Sequence, residues 1–144
     1  QHSIQPPDVL VWLRPTFPFR KVADLTQALT LLTPEVDSVR LVTEGEPRLY
    51  AVRNDRLEPM FDDQGRSMIR RQEFEETVKV FHTDIFWFRN ISLGPRFLGN
   101  VSVPFRIHKI CSTDIDTRED AEIAEALMRA ESPFLRAYTH IPAE

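Results

Sequence analysis

The 144-residue chain contains one cysteine, Cys111, and only four glycines, no two of them adjacent. A lone thiol excludes an intrachain disulfide framework and a cysteine-rich metal centre, and it suits a reducing, cytoplasmic setting. The role left to Cys111 is that of a small buried hydrophobe. Glycines as scattered as Gly45, Gly65, Gly94 and Gly99 cannot form the glycine-rich loop that cradles phosphates. No apolar run reaches the length of a membrane span, and the first residues do not read as a signal peptide. An excess of positive charge is also missing. At a net charge of −4 the chain lacks the basic field of a nucleic-acid binder, so any anion it holds must be held locally.

What is present is the composition of an ordinary globular protein, 42% hydrophobic and 28% charged, and residues 1–144 read as a single domain able to bury a core. Arginines at Arg14, Arg20, Arg40, Arg70 and Arg71 could supply local sites, because a planar guanidinium matches carboxylate and phosphate geometry. Any one of them could equally be a solvated surface charge. The histidines His2, His82, His108 and His140 share no metal-ligand spacing and read as scattered structural or surface residues.

Residues 9–13 are a continuous apolar run between prolines, the pattern of a buried central parallel strand. The stretch "VWLRPTFPFR" then leaves that strand and delivers polar groups into a loop, and strand ends of open α/β sheets are where ligands bind. Val22, Leu25, Leu29 and Leu32 recur at helical spacing until Pro34. With residues 38–43 as the next strand, a right-handed βαβ unit follows. Residues 47–66 alternate short extended pieces with turn signals such as Asp62-Asp63-Gln64-Gly65, which predicts an excursion from the sheet, a hairpin or arm. Residues 78–89 read as one bent strand or two, interrupted at 82–84, with Phe81, Phe86, Trp87 and Phe88 as core rather than a base-stacking platform. Residues 101–110 are extended, and residues 117–129 form a helix with Ile123, Ala124, Leu127 and Met128 on one side.

The stretch "STDIDTRED" has two readings. If residues 113–116 are extended, Asp114 and Asp116 share a face while Ile115 points to the core, and two convergent carboxylates make half a site for Mg²⁺. Alternatively, Asp116 or Thr117 caps the following helix, with Thr117 and Asp120 resembling a capping box. The motif Asp-Ile-Asp-Thr also shares the two spaced aspartates of the D-x-D-x-T signature of haloacid-dehalogenase-like phosphotransferases, but Arg118 stands at the signature's threonine, and only one helix and a tail follow it, not a sheet.

Taken in order, "LRPTFPFR" (13–20), "DSVRLVTE" (37–44), "RRQEF" (70–74) and "DIDTREDAEIAEAL" (114–127) resemble the acylneuraminate cytidylyltransferase family, the CMP-sialic acid synthetases and their relatives. The resemblance covers nearly the whole chain. It implies a doubly wound, mostly parallel α/β nucleotidyltransferase sheet with a protruding dimerisation arm at about residues 46–80, and a homodimer. It implies transfer of CMP from CTP to the anomeric hydroxyl of a nine-carbon sugar acid, with release of pyrophosphate and Mg²⁺ on the phosphates. Asp114 and Asp116 match the family's catalytic metal-binding pair. Arg14, Thr16 and Arg20 fall in its P-T-S-P-L-R loop, and Arg71 and Gln72 match its substrate-side R-Q.

Three departures touch the sugar pocket: Arg14 where many sialic acid enzymes have glutamine, Phe17 in place of the loop serine, and His82-Thr83 where the family has Asn-Gly. The family's leading strand and nucleotide-binding loop are not in this sequence. The chain is therefore expected to be the C-terminal portion of a longer enzyme, inactive alone. The alternative is a catalytically silent sugar-acid-binding or dimerisation module.

Overall fold

The computed structural model describes residues 8–66, 68–130 and 132–138; His2 and His140 lie outside them. Four strands, β1 (Val9–Leu13), β2 (Ser38–Glu44), β5 (Val78–Trp87) and β6 (Ser102–Arg106), form a mixed sheet in the order β1-β5-β2-β6. β1 runs antiparallel to β5, placing Leu10 opposite Phe86 and Trp12 opposite Asp84. β2 and β6 are parallel, from Ser38 opposite Ser102 to Val42 opposite Arg106.

This arrangement overturns the expected doubly wound, mostly parallel sheet. β1 is an edge strand, and Val11, Trp12 and Leu13 are 45%, 50% and 45% exposed. A short apolar run fits an edge strand as well as a central one, and periodicity cannot separate the two. The strand, helix, strand order is present, yet β5 lies between β1 and β2, so the two are not neighbours as in a simple βαβ unit. The interior positions belong to β2 and β5, and in β5 His82, Thr83, Asp84, Ile85 and Phe86 are buried in succession. Its three polar residues disguise it. β5 is one strand, bent at Phe81, whose φ of 86° is far from extended backbone.

Helix α1 (Val22–Leu29) covers one sheet face. Ala28 and the following Leu32 pack with Val39, Leu41 and Ile85, flanked by Val9, Leu25, Trp87 and Phe105. The Trp87 indole N–H donates to the Val36 carbonyl at 2.9 Å. Asp37 fixes the approach to β6 by accepting from the Asn100 and Val101 N–H groups at 2.8 and 2.9 Å. Gly99 is required there: its φ is +73° and a Cβ would stand 2.2 Å from the Asp37 Cβ. Helix α2 (Arg118–Arg129) buries Ala124 and leaves Ile123 58% exposed. A short helix α3 (Pro133–Arg136) buries Leu135. No helix among the described residues is long and apolar enough to cross a membrane.

The second compact unit is Glu44–Lys79. It holds the hairpin expected in this region, β3 (Tyr50–Arg53) against β4 (Arg56–Pro59). Asn54 and Asp55, at φ 50° and 59°, form the two-residue loop, the left-handed pair that matches strand twist. In Asp62-Asp63-Gln64-Gly65 the two aspartates accept from the N–H groups of Gln64 and Gly65 at 2.8 and 2.9 Å.

Candidate functional site

The loop after β1 is built by alternation. Phe17 and Phe19 are buried while Pro15 and Pro18 restrict the backbone between them. The polar residues are left at or near the surface, with Thr16 exposed and Arg14 and Arg20 partly buried. Arg20 turns back onto β5: its guanidinium donates to Thr83 Oγ1 at 2.9 Å, to the His82 carbonyl at 3.3 Å and to the Arg14 carbonyl.

At the centre stands Asp84, whose side chain is fully buried. Arg14 Nη2 lies 2.8 Å from its Oδ2 and Arg40 Nε donates to its Oδ1 at 2.9 Å. Both arginine side chains are 23% exposed. The Arg14 contact has ion-pair distance without hydrogen-bond alignment, and Arg14 Nη1 is buried with no acceptor. Phe81 lies against both cations, its ring centroid 5.3 Å from the Arg14 guanidinium carbon and 5.8 Å from that of Arg40. Trp12 adds a second ring 5.8 Å from Arg14.

His82 joins loop and strand. Its Nε2–H donates to the Phe19 carbonyl at 3.1 Å, and Nδ1 accepts from the Thr83 hydroxyl at 3.0 Å. Burial depresses its pKa, with a lesser contribution from the Arg20 and Arg14 charges, against the opposing Phe19 hydrogen bond. The Phe17 ring meets His82 edge-on at 5.8 Å. The three departures from the resembled motifs thus lie together: Phe17 packs on His82, Arg20 binds Thr83, and the Arg14 N–H donates to the His82 carbonyl at 3.5 Å.

The acidic segment lies beside this loop, because the Ile115 N–H donates to the Thr16 carbonyl at 2.9 Å. No strand forms at residues 113–116; they are a loop ahead of α2, with Thr113 in extended backbone, Asp114 half-buried and Asp116 exposed. Thr117 is the N-cap, accepting from the Asp120 N–H, while Asp120 Oδ2 accepts from the Thr117 N–H at 2.9 Å and hydroxyl at 2.8 Å. Those bonds hold the Asp120 carboxyl below its usual range. Capping therefore engages Thr117 and Asp120, and leaves Asp114 and Asp116 for other work. Asp114 Oδ1 is buried without a hydrogen-bond partner, an orphaned acceptor of the kind a cation satisfies. Among the described residues no three His, Cys, Asp or Glu side chains gather as a metal cluster. Mg²⁺, however, needs only one or two carboxylates and takes its other oxygens from water and phosphates, so the residues present fit that ion.

Arg71 and Gln72 belong to the second compact unit, in a single 3₁₀ turn, Arg71–Glu73. Arg71 is paired with Glu44 at 3.0 Å and also donates to the Gly45 carbonyl; Gln72 is exposed. The structure therefore brings Arg14, Thr16, Arg20, Asp114 and Asp116 into one neighbourhood. It adds Arg40, one of the arginines offered as a local anion holder, together with Phe81, expected in the core, and Asp84, expected only within an interruption of the strand. The available signal was Asp84 itself, a charged residue inside an otherwise aromatic and β-branched strand. No family model matches the chain, and no curated protein matches it.

Proposed function

We propose that the chain is the sugar-acid side of a nucleotidyltransferase acting on a sialic-acid-like sugar acid and CTP. The anomeric hydroxyl oxygen attacks the α-phosphate and gives up its proton to water, the new C–O–P linkage forms, the bond to the β-phosphate bridging oxygen breaks, and pyrophosphate leaves. The observation that carries this reading is the bond from the Ile115 N–H to the Thr16 carbonyl, which fastens an arginine-bearing loop to an acidic pair with an orphaned oxygen. Anionic substrates need the cations; the phosphates need a cation held by acids. In this reading Asp114 and Asp116 would hold Mg²⁺, which supplies charge neutralisation on the phosphates. Arg14, Thr16 and Arg20 line the acid's side. The reading rests on the site and not on the fold class.

A homodimer and a cytoplasmic setting belong to the same proposal. The hairpin places Tyr50, Val52, Leu57 and Pro59 on one face, with Val52 and Leu57 73% and 70% exposed. Isolated two-stranded sheets rarely stand alone in water, so a second copy is a fitting cover.

The test is pyrophosphate release by the natural full-length protein with CTP, Mg²⁺ and a panel of eight- and nine-carbon sugar acids. One acid should give release, and Asp114→Asn should lower turnover about 100-fold or more with little change in melting temperature. Silence with every acid overturns the transferase and leaves the binding or dimerisation module.

A further inference from the structure

Among the described residues, two guanidiniums on one buried carboxylate leave a positive charge uncompensated. Asp84 gives one oxygen to each cation, Oδ2 to Arg14 and Oδ1 to Arg40. Arg20, within hydrogen-bond reach of the Arg14 carbonyl, is bonded to carbonyls and a hydroxyl, so no carboxylate among the described residues offsets its charge either. Bringing like charges together in a partly desolvated place is costly unless something negative completes it. A buried guanidinium N–H without an acceptor is costly in its own right, and Arg14 Nη1 is one.

The backbone is also distorted at this point. Phe81 has φ 86°, a conformation that a bulky side chain adopts only where its surroundings impose it. Its consequence is to set the ring over Arg14 and Arg40 while keeping it 54% exposed. Trp12, beside Arg14, is 50% exposed. Two half-exposed rings on the solvent side of a cation pair can turn aside or stack on a ligand without disturbing the core beneath.

We infer that Arg14 and Arg40, oriented by Asp84 and covered by Phe81, form a binding site for an oxyanion of a small molecule, either carboxylate or phosphate. Arg14 supplies the vacant Nη1 and Arg40 the second cation. Asp84 is a positioning residue that fixes both guanidiniums, and it explains why a carboxylate occupies the middle of the sheet. The choice of a sugar acid as probe rests on the proposed function; the site itself does not.

The experiment is calorimetric titration of the chain with N-acetylneuraminate, its neutral methyl ester and inorganic phosphate, repeated with Arg40→Gln. Binding of the acid or of phosphate, but not of the ester, with about a tenfold loss in Arg40→Gln, supports the inference; the anion that binds identifies the source. Absence of binding by both anions, equal binding of the ester, or affinity unchanged in Arg40→Gln overturns it. If Arg40→Gln does not fold by circular dichroism, Arg40→Lys decides the matter, because it keeps the charge near Asp84 and loses the planar fork. Arg40-dependent binding without pyrophosphate release would sink the transferase and leave this site standing. Pyrophosphate release with a KM for the acid unmoved by Arg40→Gln or Arg40→Lys would do the reverse.

Discussion

His82 is the side chain through which pH reaches the interior. Its two ring nitrogens are matched to the Phe19 carbonyl and the Thr83 hydroxyl, a pairing that the neutral ring satisfies in full. Burial, then the neighbouring arginines, depresses its pKa below 6.5. The unfolded chain, titrating near 6.5, takes up a proton that the folded one declines. Stability is therefore full above about pH 6.5 and declines as pH falls below it towards the folded pKa. The depressed carboxylates, Glu46 at about 2 beside Arg48 among them, act in a separate, more acid window. The urea midpoint should fall between about pH 7 and pH 5, and the decline should be shallower in His82→Gln than in the parent; equal slopes would remove His82 as the cause. This residue shows what the sequence concealed. His82, Thr83 and Asp84 read as an interruption because periodicity registers only apolar positions, whereas here polar groups satisfy one another inside the sheet. Cys111, by contrast, was legible as a buried thiol.

Among the elements, the start of α2 was the most legible. Thr117 and Asp120 have the spacing of a reciprocal cap and form one. Thr117→Ala should cost about 1 kcal/mol, seen as a melting temperature lowered by a few degrees with helix content nearly intact; an unchanged melt would show that the cap contributes nothing. The preceding acids join no strand; their segment is tied to the loop after β1 through Ile115 and Thr16, a contact between distant residues that local spacing does not announce. Of the apolar residues of α2, Ile123 is exposed while Ala124 is buried. Apolar spacing defines a stripe, but the depth to which each residue enters depends on what it packs against. The hairpin region was legible as a turn-rich segment, because the Asp62 to Gly65 turn carries its own local hydrogen bonding.

For the molecule as a whole, sheet order was the least legible feature. Strand existence follows from local composition, but the insertion of β5 between β1 and β2 depends on contacts far apart in sequence, such as Trp12 with Asp84. The apolar hairpin face makes a prediction at this scale. By sedimentation the protein should be dimeric at micromolar concentration, and Val52→Glu should yield monomer with an unchanged circular dichroism spectrum, since a charge cannot be buried unpaired in an apolar contact. A monomeric parent would overturn the arm as a dimer contact. One further consequence comes from Cys111, 1% exposed and with its thiol pushed up to about 11 chiefly by burial and then by Asp24. At neutral pH such a thiol is unreactive while the core is closed. The chain thus carries its own clock: each encounter of Cys111 with a thiol reagent records a moment at which the interior opened, with no label introduced to disturb it.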